Sequence, residues 1–419
     1  MVQVDWDKVK SRSRCVCCAI LPSGIRLLIT TGIIALVAVT SVIVYNSPPF
    51  QYTAVNVVLN WSFDPRPMAT YDSNFTYNVL LDPHCHTTYS DGSLSPEQNI
   101  QWHIDNGYNA MIVTDHNNIQ GSIVAQQIAI AKYNDKIKVI TGMEWTNCRV
   151  HLNFIGINES VTPIKNPTDL EIQQAINRTH ELGGLVIMNH RPWDYWSNMD
   201  TPSIQDFAAW GVDFFDVANG HYFDFQTLVY ARSQNIRVVT ANDYHSGGLG
   251  ATGWTVLNIP GVNYNPNASI SADYFTTDQL WNAIKSQPTS FIYDVVGHGD
   301  DPYSYGGTNP KWLRLYPWIQ MGAFFHSFYY MNRGMYSFVN GENCGPQSVV
   351  VQKDPIISTV LWVLGLFVIG ELIRCLVTFV INKIKQRYDD KNDRRGGRYL
   401  KEWESEFGVV DTPLLNQNL

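Results

Sequence analysis

The sequence is short of positive charge: 29 Lys and Arg stand against 37 Asp and Glu, a formal net charge of −8 over 419 residues. No Lys/Arg-rich stripe runs through the central region. A nucleic-acid partner needs a basic face, so none is expected. The chain has no Gly-rich phosphate loop and no Gly-x-Ser-x-Gly motif, so neither a phosphate cradle nor a serine nucleophile is announced. No internal repeat or low-complexity tract stands out. Cysteine is scarce as well, with seven in all. Cys15, Cys17 and Cys18 flank a first apolar run and are palmitoylation candidates or plain thiols, while Cys375 lies inside a second run. That leaves Cys85, Cys148 and Cys344 between the runs, enough for one internal disulfide at most. Cys148 with Cys344 is the preferred pair, because Cys85 sits between His84 and His86. Cys85 could instead be a soft metal ligand.

What the chain does have is apolar residues, 45% of the total, enough for a large core with segments to spare. Leu27–Tyr45 is free of charge, and Ile356–Ile381 carries only Glu371 and Arg374, three apart. About 20 residues cross a bilayer, so both segments read as spans, with Glu371 and Arg374 pairing or near the interface. Lys8, Lys10, Arg12, Arg14 and Arg26 precede the first; Lys383, Lys385, Arg387, Lys391, Arg394, Arg395 and Arg398 follow the second. Positive flanks stay in the cytosol, so both termini are expected there, with membrane lipid as a partner. A cleaved signal peptide fits less well, because no small-x-small site follows the first run. The expected organisation is a tail (1–26), a span (27–45), a spacer (46–75), a barrel (76–300), an aromatic-rich extension (301–355), a span (356–381) and a tail (382–419). Sequons at Asn60, Asn74, Asn158, Asn177 and Asn267 fall only in the part placed across the membrane, which favours a glycosylated luminal or extracellular domain. Asp411-Thr412-Pro413-Leu414-Leu415 resembles an acidic dileucine signal for a sorting adaptor. An endomembrane, the endosome included, or the plasma membrane would then be the location.

Between the spans, apolar runs alternate with helical patterns. The runs are Tyr77–Leu81, Ala110–Thr114, Lys138–Thr141, Val150–Ile157, Leu185–Met188, Val212–Ala218 and Ile236–Thr240. Ser95 to Gln98 has capping-box spacing and opens a helix to Asn106; Asp169–Leu182 is another, stopped by Gly183 and Gly184. This alternation predicts an α/β fold with a parallel barrel, irregular at Val150–Ile157, which follows its predecessor too closely for a helix. Ser271–Asp294 reads as a strand-helix-strand tail. Lys311–Phe338 is rich in aromatics, which suits either a packed extension or a membrane-facing belt bearing Trp312, Trp318 and Phe324.

The chemistry sits where runs end. Asp82-Pro83-His84-Cys85-His86-Thr87-Thr88-Tyr89-Ser90-Asp91-Gly92 closes the first run and Thr114-Asp115-His116-Asn117 the second. Glu144, His151, His190, Asp243 and His245 stand at later run ends. Alternation puts His84 and His86 on one side of a strand, able to share an ion. Nine ligand-type residues at strand ends suit two or three divalent ions, with zinc, manganese and iron all compatible with imidazole and carboxylate.

These two motifs, with Gly107-Tyr108-Asn109-Ala110-Met111-Ile112-Val113 leading into the second, resemble the opening of the PHP superfamily (polymerase and histidinol phosphatase domains). The resemblance covers about Asn78 to Asp294 and implies an irregular (β/α)7 barrel with a trinuclear site. It implies one metal on His84, His86, Glu144 and Asp243, and a second bridged by Glu144 with His151 and His190. Asp91, His116 and His245 would hold a third. Pro83 replaces a usual apolar residue, Arg191 stands where Pro is common after the histidine, and Asn219 fits the family pattern. The implied activity is phosphomonoester or phosphodiester hydrolysis by a metal-bridging hydroxide. Arg191 is then the candidate phosphate clamp, and His221 and His245 are candidates to protonate the leaving oxygen or orient water. A metal-dependent amide or ester hydrolase and a non-catalytic membrane scaffold stay open as alternatives. The substrate could be soluble or lipid-linked.

Overall fold

The computed structural model describes residues 6–47, 57–59, 62–245, 250–294, 303–305 and 310–407. The elements begin with α1 (Trp6–Tyr45), β1 (Val57–Leu59), β2 (Val79–Cys85), α2 (Pro96–Asp105), β3 (Ala110–Val113), α3 (Gln120–Lys132), β4 (Lys138–Thr146) and β5 (His151–Ile155). They continue with α4 (Asp169–Glu181), β6 (Leu185–Met188), α5 (Arg191–Trp196), α6 (Ile204–Ala209), β7 (Phe214–Asn219), β8 (Tyr222–Phe223), α7 (Phe225–Ser233) and β9 (Arg237–Ala241). Last come β10 (Gly253–Leu257), α8 (Thr277–Ser286), β11 (Thr289–Tyr293), β12 (Tyr303–Tyr305), α9 (Pro310–His326), β13 (Tyr329–Asn332), β14 (Ser348–Val351) and α10 (Lys353–Phe407).

The chain divides into two compact units, Pro48–Leu315 with Met331–Val350, and Met1–Ser47 with Tyr316–Tyr330 and Val351–Leu419. The expected 301–355 extension is therefore shared between them.

In the larger unit one sheet runs β11-β10-β2-β3-β4-β5-β6-β7-β8, with β9 also on β7. The seven expected runs are β2 to β7 and β9. Parallel pairing holds for β2-β3-β4, β6-β7 and β7-β9. At β4-β5 and β5-β6 it turns antiparallel. The irregularity is thus where the sequence placed it. Residues 147–150 are too few for a parallel crossover, which takes a dozen or more. Asn147 Oδ1 instead accepts from the backbone N–H of Arg149 at 2.9 Å and of Val150 at 3.0 Å, an Asx turn. The sheet curls until the segment after β9 meets β2. There Asp243 N donates to His84 O (3.1 Å) and His86 N to Tyr244 O (2.9 Å).

One expectation needs correcting. The tail after the barrel takes its first strand from Gly253–Leu257, antiparallel to β2 and β11, and not from the stretch at Ser271. Trp254 and Val256 fill the core, while Thr255 Oγ1 donates to Thr240 O at 2.8 Å. Only α8 and β11 of the expected tail stand. On α8, Leu280, Ala283 and Ile284 form the buried stripe that one helix face gives. Helix α2 starts as its sequence requires, with the reciprocal Ser95–Gln98 box and Pro96 in the first turn, and Gly107 past its end takes φ +79°.

Cys148 and Cys344 form a disulfide. Asn74, Asn158, Asn177 and Asn267 are exposed, whereas Asn60 and Asp411–Leu415 lie outside the described residues.

The smaller unit holds two helices long and apolar enough to cross a membrane, Pro22–Tyr45 and Lys353–Arg394. Glu371 pairs with Arg374 (2.8 Å), as expected of residues three apart, and with Arg26 of α1 (2.7 Å). Ser23 Oγ donates to the same carboxylate at 2.9 Å. Gly322 lets α9 approach α1, for a Cβ there would collide with the Ser41 carbonyl.

Candidate metal centre

Strand ends converge at one mouth of the curled sheet. Along β2 the side chains alternate, so His84 and His86 face the mouth while Cys85 packs with Met111 and Val113. Cys85 is a core residue, its Sγ donating to Ile112 O at 3.4 Å. The loop after β2 folds back sharply to present Asp91. Gly92 permits this, because a Cβ there would lie 2.5 Å from the His86 carbonyl group. His116 follows β3 and forms a β-bridge with Glu144 of β4. His151 opens β5 opposite Thr146. His190 follows β6, and Asp243 and His245 follow β9. Asp243 adopts φ +51°, a left-handed conformation that Asp tolerates better than most residues.

The nine sequence-predicted donors come together. His84 Nε2 and His86 Nε2 are 3.0 Å apart, and Asp243 Oδ1 is 3.2 Å from the first and 3.0 Å from the second. Glu144 Oε1 is 3.1 Å from His151 Nδ1, 3.2 Å from His190 Nε2 and 3.6 Å from His84 Nε2. Its Oε2 is 3.6 Å from His86 Nε2. Asp91 Oδ1 lies 3.2 Å from His245 Nε2 and 3.5 Å from His116 Nε2.

Those spacings fit divalent ions. Donors around an ion with bonds of about 2.1 Å are roughly 3.0–3.4 Å apart in tetrahedral or octahedral shells. Four sets qualify, each with ligand atoms mutually within 4.8 Å: His84, His86 and Glu144; His84, His190 and Asp243; Glu144, His151 and His190; and His86, Asp91, His116 and His245. They overlap the implied three-ion partition but share members, with Asp243 also beside His190 and His86 also beside Asp91. His116 turns its Nε2 toward Asp91 at 3.5 Å, while its Nδ1 makes a direct 2.6 Å pair with Glu144 Oε2. Buried polar atoms with no hydrogen bond concentrate here, His84 Nδ1 and His151 Nε2 among them. Buried polar atoms are normally satisfied, so a donor cluster left this way suits a bound cation.

Residues 82–208 match the family model described as the PHP domain. The chain contains a PHP domain. Two bacterial relatives cover parts of it. A 5′-3′ exoribonuclease of Haemophilus influenzae is 34% identical over 108 residues, 24% of this chain and 38% of that protein. The 5′-3′ exoribonuclease Rnm of Escherichia coli is 30% identical over 94 residues, 22% of this chain and 31% of that protein. The chain thus spans about a third of the length of the relatives it matches. A solved structure from Bacteroides vulgatus, described as a two-domain protein containing a predicted PHP-like metal-dependent phosphoesterase, overlays with a TM-score of 0.41. It is 17% identical, over 56% of this chain and 67% of that one.

The PHP domain surrounds its donors with orienting groups that sequence reading passed over. Asp82 accepts from His84 N (3.2 Å) and from Asn242 Nδ2 (2.8 Å), and sits 3.1 Å from His103 Nε2. Asp115 accepts from Thr87 N, Thr87 Oγ1 and Ser90 Oγ, each at 2.7 Å, so it braces the Asp91 loop. Asn189 Nδ2 donates to Glu144 Oε1 at 3.0 Å. Asp194, one helical turn on from His190, places Oδ1 3.4 Å from His190 Nδ1. Such partners fix ring orientation and ligand basicity. The i, i+4 spacing of His190 and Asp194 was the available signal for the last of these.

Electrostatics within the PHP domain is set by mutual compensation. Burial favours protonation of Glu144 and Asp243, yet the surrounding imidazoles outweigh it and hold both well below the usual carboxylate range. Burial, with the charges of His245 and His116, drives His86 down to about 3. Burial also pulls down on His116 and His245, but the carboxylates around them lift these to about 10 and about 9. Asp194 is raised by burial, with His190 partly opposing.

Two predicted catalytic residues lie elsewhere. The Arg191 guanidinium stacks over Tyr195, 4.5 Å from the ring centroid, and hydrogen-bonds its hydroxyl. That i, i+4 pairing along α5 turns it away from the cavity lining. His221 is exposed in the turn between β7 and β8, and no hydrogen bond or ion pair joins it to the donors. The cavity at the donors, about 390 Å³, is lined by Asp91, His116, His151, His190, Asp243 and His245, together with Trp193, Met335, Tyr336 and Phe338.

Proposed function

We propose that the protein is a membrane-anchored, metal-dependent phosphoesterase whose PHP domain holds two or three divalent ions. The observation that carries this reading is the spacing of the nine donors around Glu144. When bound, the ions would polarise phosphoryl oxygens and ionise an attacking water near neutral pH. Glu144 presents an oxygen to each of two donor sets and so joins them. Oε1 faces His151, His190 and His84, and Oε2 faces His86 and His116. Asp194 and Asn189 keep His190 and Glu144 in register. With only the two inner sets filled, His245 at the cavity mouth keeps a proton to give the leaving oxygen. With all sets filled it is a ligand. Arg191 takes no part in this scheme, because its guanidinium is committed to Tyr195.

The test uses the full chain in detergent: hydrolysis of p-nitrophenyl phosphate and bis-p-nitrophenyl phosphate, metal content by elemental mass spectrometry, and Glu144→Ala beside the wild type. Metal-dependent turnover lost in Glu144→Ala supports the reading, and turnover that survives metal stripping overturns it. The relatives' names bring RNA ends into the substrate panel. The net charge of −8 favours small phosphoesters over a polyanion.

The anchoring part of the reading rests on the exposed apolar helices, their basic flanks and the exposed sequons. It places both termini in the cytosol and the PHP domain in a lumen or outside the cell, with a sorting adaptor at Asp411–Leu415. Endoglycosidase treatment should lower the apparent mass of the native protein, and substituting Asn74, Asn158, Asn177 and Asn267 together should remove most of that shift. No shift in the wild type would overturn the topology.

A further inference from the structure

The donors explain how a phosphoester group is held but not what is attached to it. That information lies in the segment between β13 and β14, far along the chain from the PHP motifs. The segment is built over the cavity. Cys344 ties it to Cys148, Glu342 pairs with Lys165 at 2.7 Å, and Ser337 is buried with its Oγ donating to Glu342 O at 2.6 Å. Phe338 O accepts from Asn117 Nδ2 at 3.1 Å, and the Asn117 Oδ1 accepts from Thr146 N at 2.9 Å. The segment is therefore anchored directly behind His116.

Phe338 takes φ +54°, a left-handed backbone that is a true outlier for a bulky side chain. Strain of this kind persists where surrounding structure over-determines it, and it clusters at ligand clamps. Its effect here is to lay the ring on His116, with centroids 3.8 Å apart and planes at 25°. Tyr336 meets Phe338 edge-on at 4.8 Å and is 43% exposed. Trp193 packs against His151 and His190 and also lines the cavity. Three aromatic rings and Met335 thus adjoin a cluster whose other lining groups are all ionisable.

We propose that Phe338 and Tyr336, with Trp193, are specificity-determining residues that select phosphoesters carrying a flat aromatic group near the phosphorus, an aryl or nucleoside phosphate. This rests on the phosphoesterase reading and names its substrate class. Aromatic faces and edges prefer a ring to an alkyl chain of equal area, because the ring quadrupoles align. A cavity of about 390 Å³ suits one such group rather than a polymer.

The test compares phenyl, hexyl and methyl phosphate on the metal-loaded full chain in detergent, for wild type, Phe338→Gly and Tyr336→Leu. Phe338→Gly removes the ring and suits the backbone, since φ > 0 costs glycine nothing. Tyr336→Leu keeps bulk at an exposed position. Melting temperature and disulfide content report folding. In wild type, kcat/KM should favour phenyl over hexyl phosphate, and each variant should reduce that ratio, Phe338→Gly by about tenfold and mainly through KM. Equal rates on phenyl and hexyl phosphate, or a ratio that both variants leave unchanged, would overturn the proposal. Binding of phenylphosphonate and hexylphosphonate, followed by calorimetry, separates the two layers of the argument. Phenyl-selective binding that depends on Phe338, without turnover of any ester, would retain the clamp and reject the phosphoesterase. Turnover without phenyl selectivity would do the reverse.

Discussion

The floor and the cover of the cavity are held by opposite means. Floor residues stand at strand ends, Glu144 and His86 are fully buried, and two have a side-chain partner behind them, Asn189 on Glu144 and Asp194 on His190. The cover is a half-exposed connection fastened at a few points: one disulfide, the Lys165–Glu342 pair and the Asn117 bond to Phe338. A site on strands is positioned to a fraction of an ångström, whereas a site on a connection can change without disturbing the sheet. The floor should therefore set whether chemistry occurs, and the cover which molecule undergoes it.

The sharpest way to break this division is Glu144→Gln. The amide keeps the volume but loses the charge that five imidazoles face. Metal content should fall and kcat drop by about a thousandfold or more. Phenylphosphonate-shaped selectivity of the cover should survive in whatever activity remains. If activity persists with metals bound, the floor does not work through Glu144.

The converse experiment frees the cover. Replacing Cys148 and Cys344 with serine opens a loop with a sequence separation of 196 and should cost about 2–5 kcal/mol of stability by denaturant titration. Bound metal should be retained. Loss of metal along with stability would mean that floor and cover form one cooperative structure.

A smaller effect is expected one layer behind the floor. Asp194→Asn removes the carboxylate beside His190 Nδ1, and metal affinity should weaken about 10- to 100-fold, read by competition with a chelator. An unchanged affinity would make Asp194 merely a buried acid.

The two regions also differ in what the sequence revealed. The floor was legible because its signal is local: His84 and His86 alternate around Cys85 on a strand, and donors recur wherever an apolar run stops. Neither Asp194 nor Asp115 has an alternation of that kind, and both escaped notice as orienting groups. The cover was illegible, since Phe338 reaches His116 across more than two hundred positions and owes its place to a backbone angle that no residue type announces. Only the preference for Cys148–Cys344 hinted that this segment returns to the barrel. The aromatic content of Lys311–Phe338 suited either a packed extension or a membrane belt, and its last ring packs on His116 at the cavity. Arg191 stacks on Tyr195, one turn along the same helix, a pairing that its place after His190 did not announce. The strand Gly253–Leu257 was overlooked in favour of Ser271 because its single alternating run has no helix before it.

Away from both regions, Asp105 supplies the contrast that sharpens the electrostatic side of the comparison. It ends α2, where the helix dipole disfavours a negative charge. Burial lifts its carboxyl to about 6, with Lys136 pulling back only in part. Its folded value thus lies above its unfolded one, so the folded state binds the extra proton. Stability from this group is full at pH values below about 4 and is lost as pH rises through about 6. Glu144 and Asp243 run the other way: their folded values are depressed, and their stabilisation is lost as pH falls. Asp105→Asn should therefore stabilise the protein at pH 7 by roughly 0.5 kcal/mol, a figure discounted for its partial exposure, and leave metal content untouched. That gain should fade as the pH is lowered toward 4. A gain equally large at pH 4 would mean that the substitution acts through something other than the carboxylate's charge.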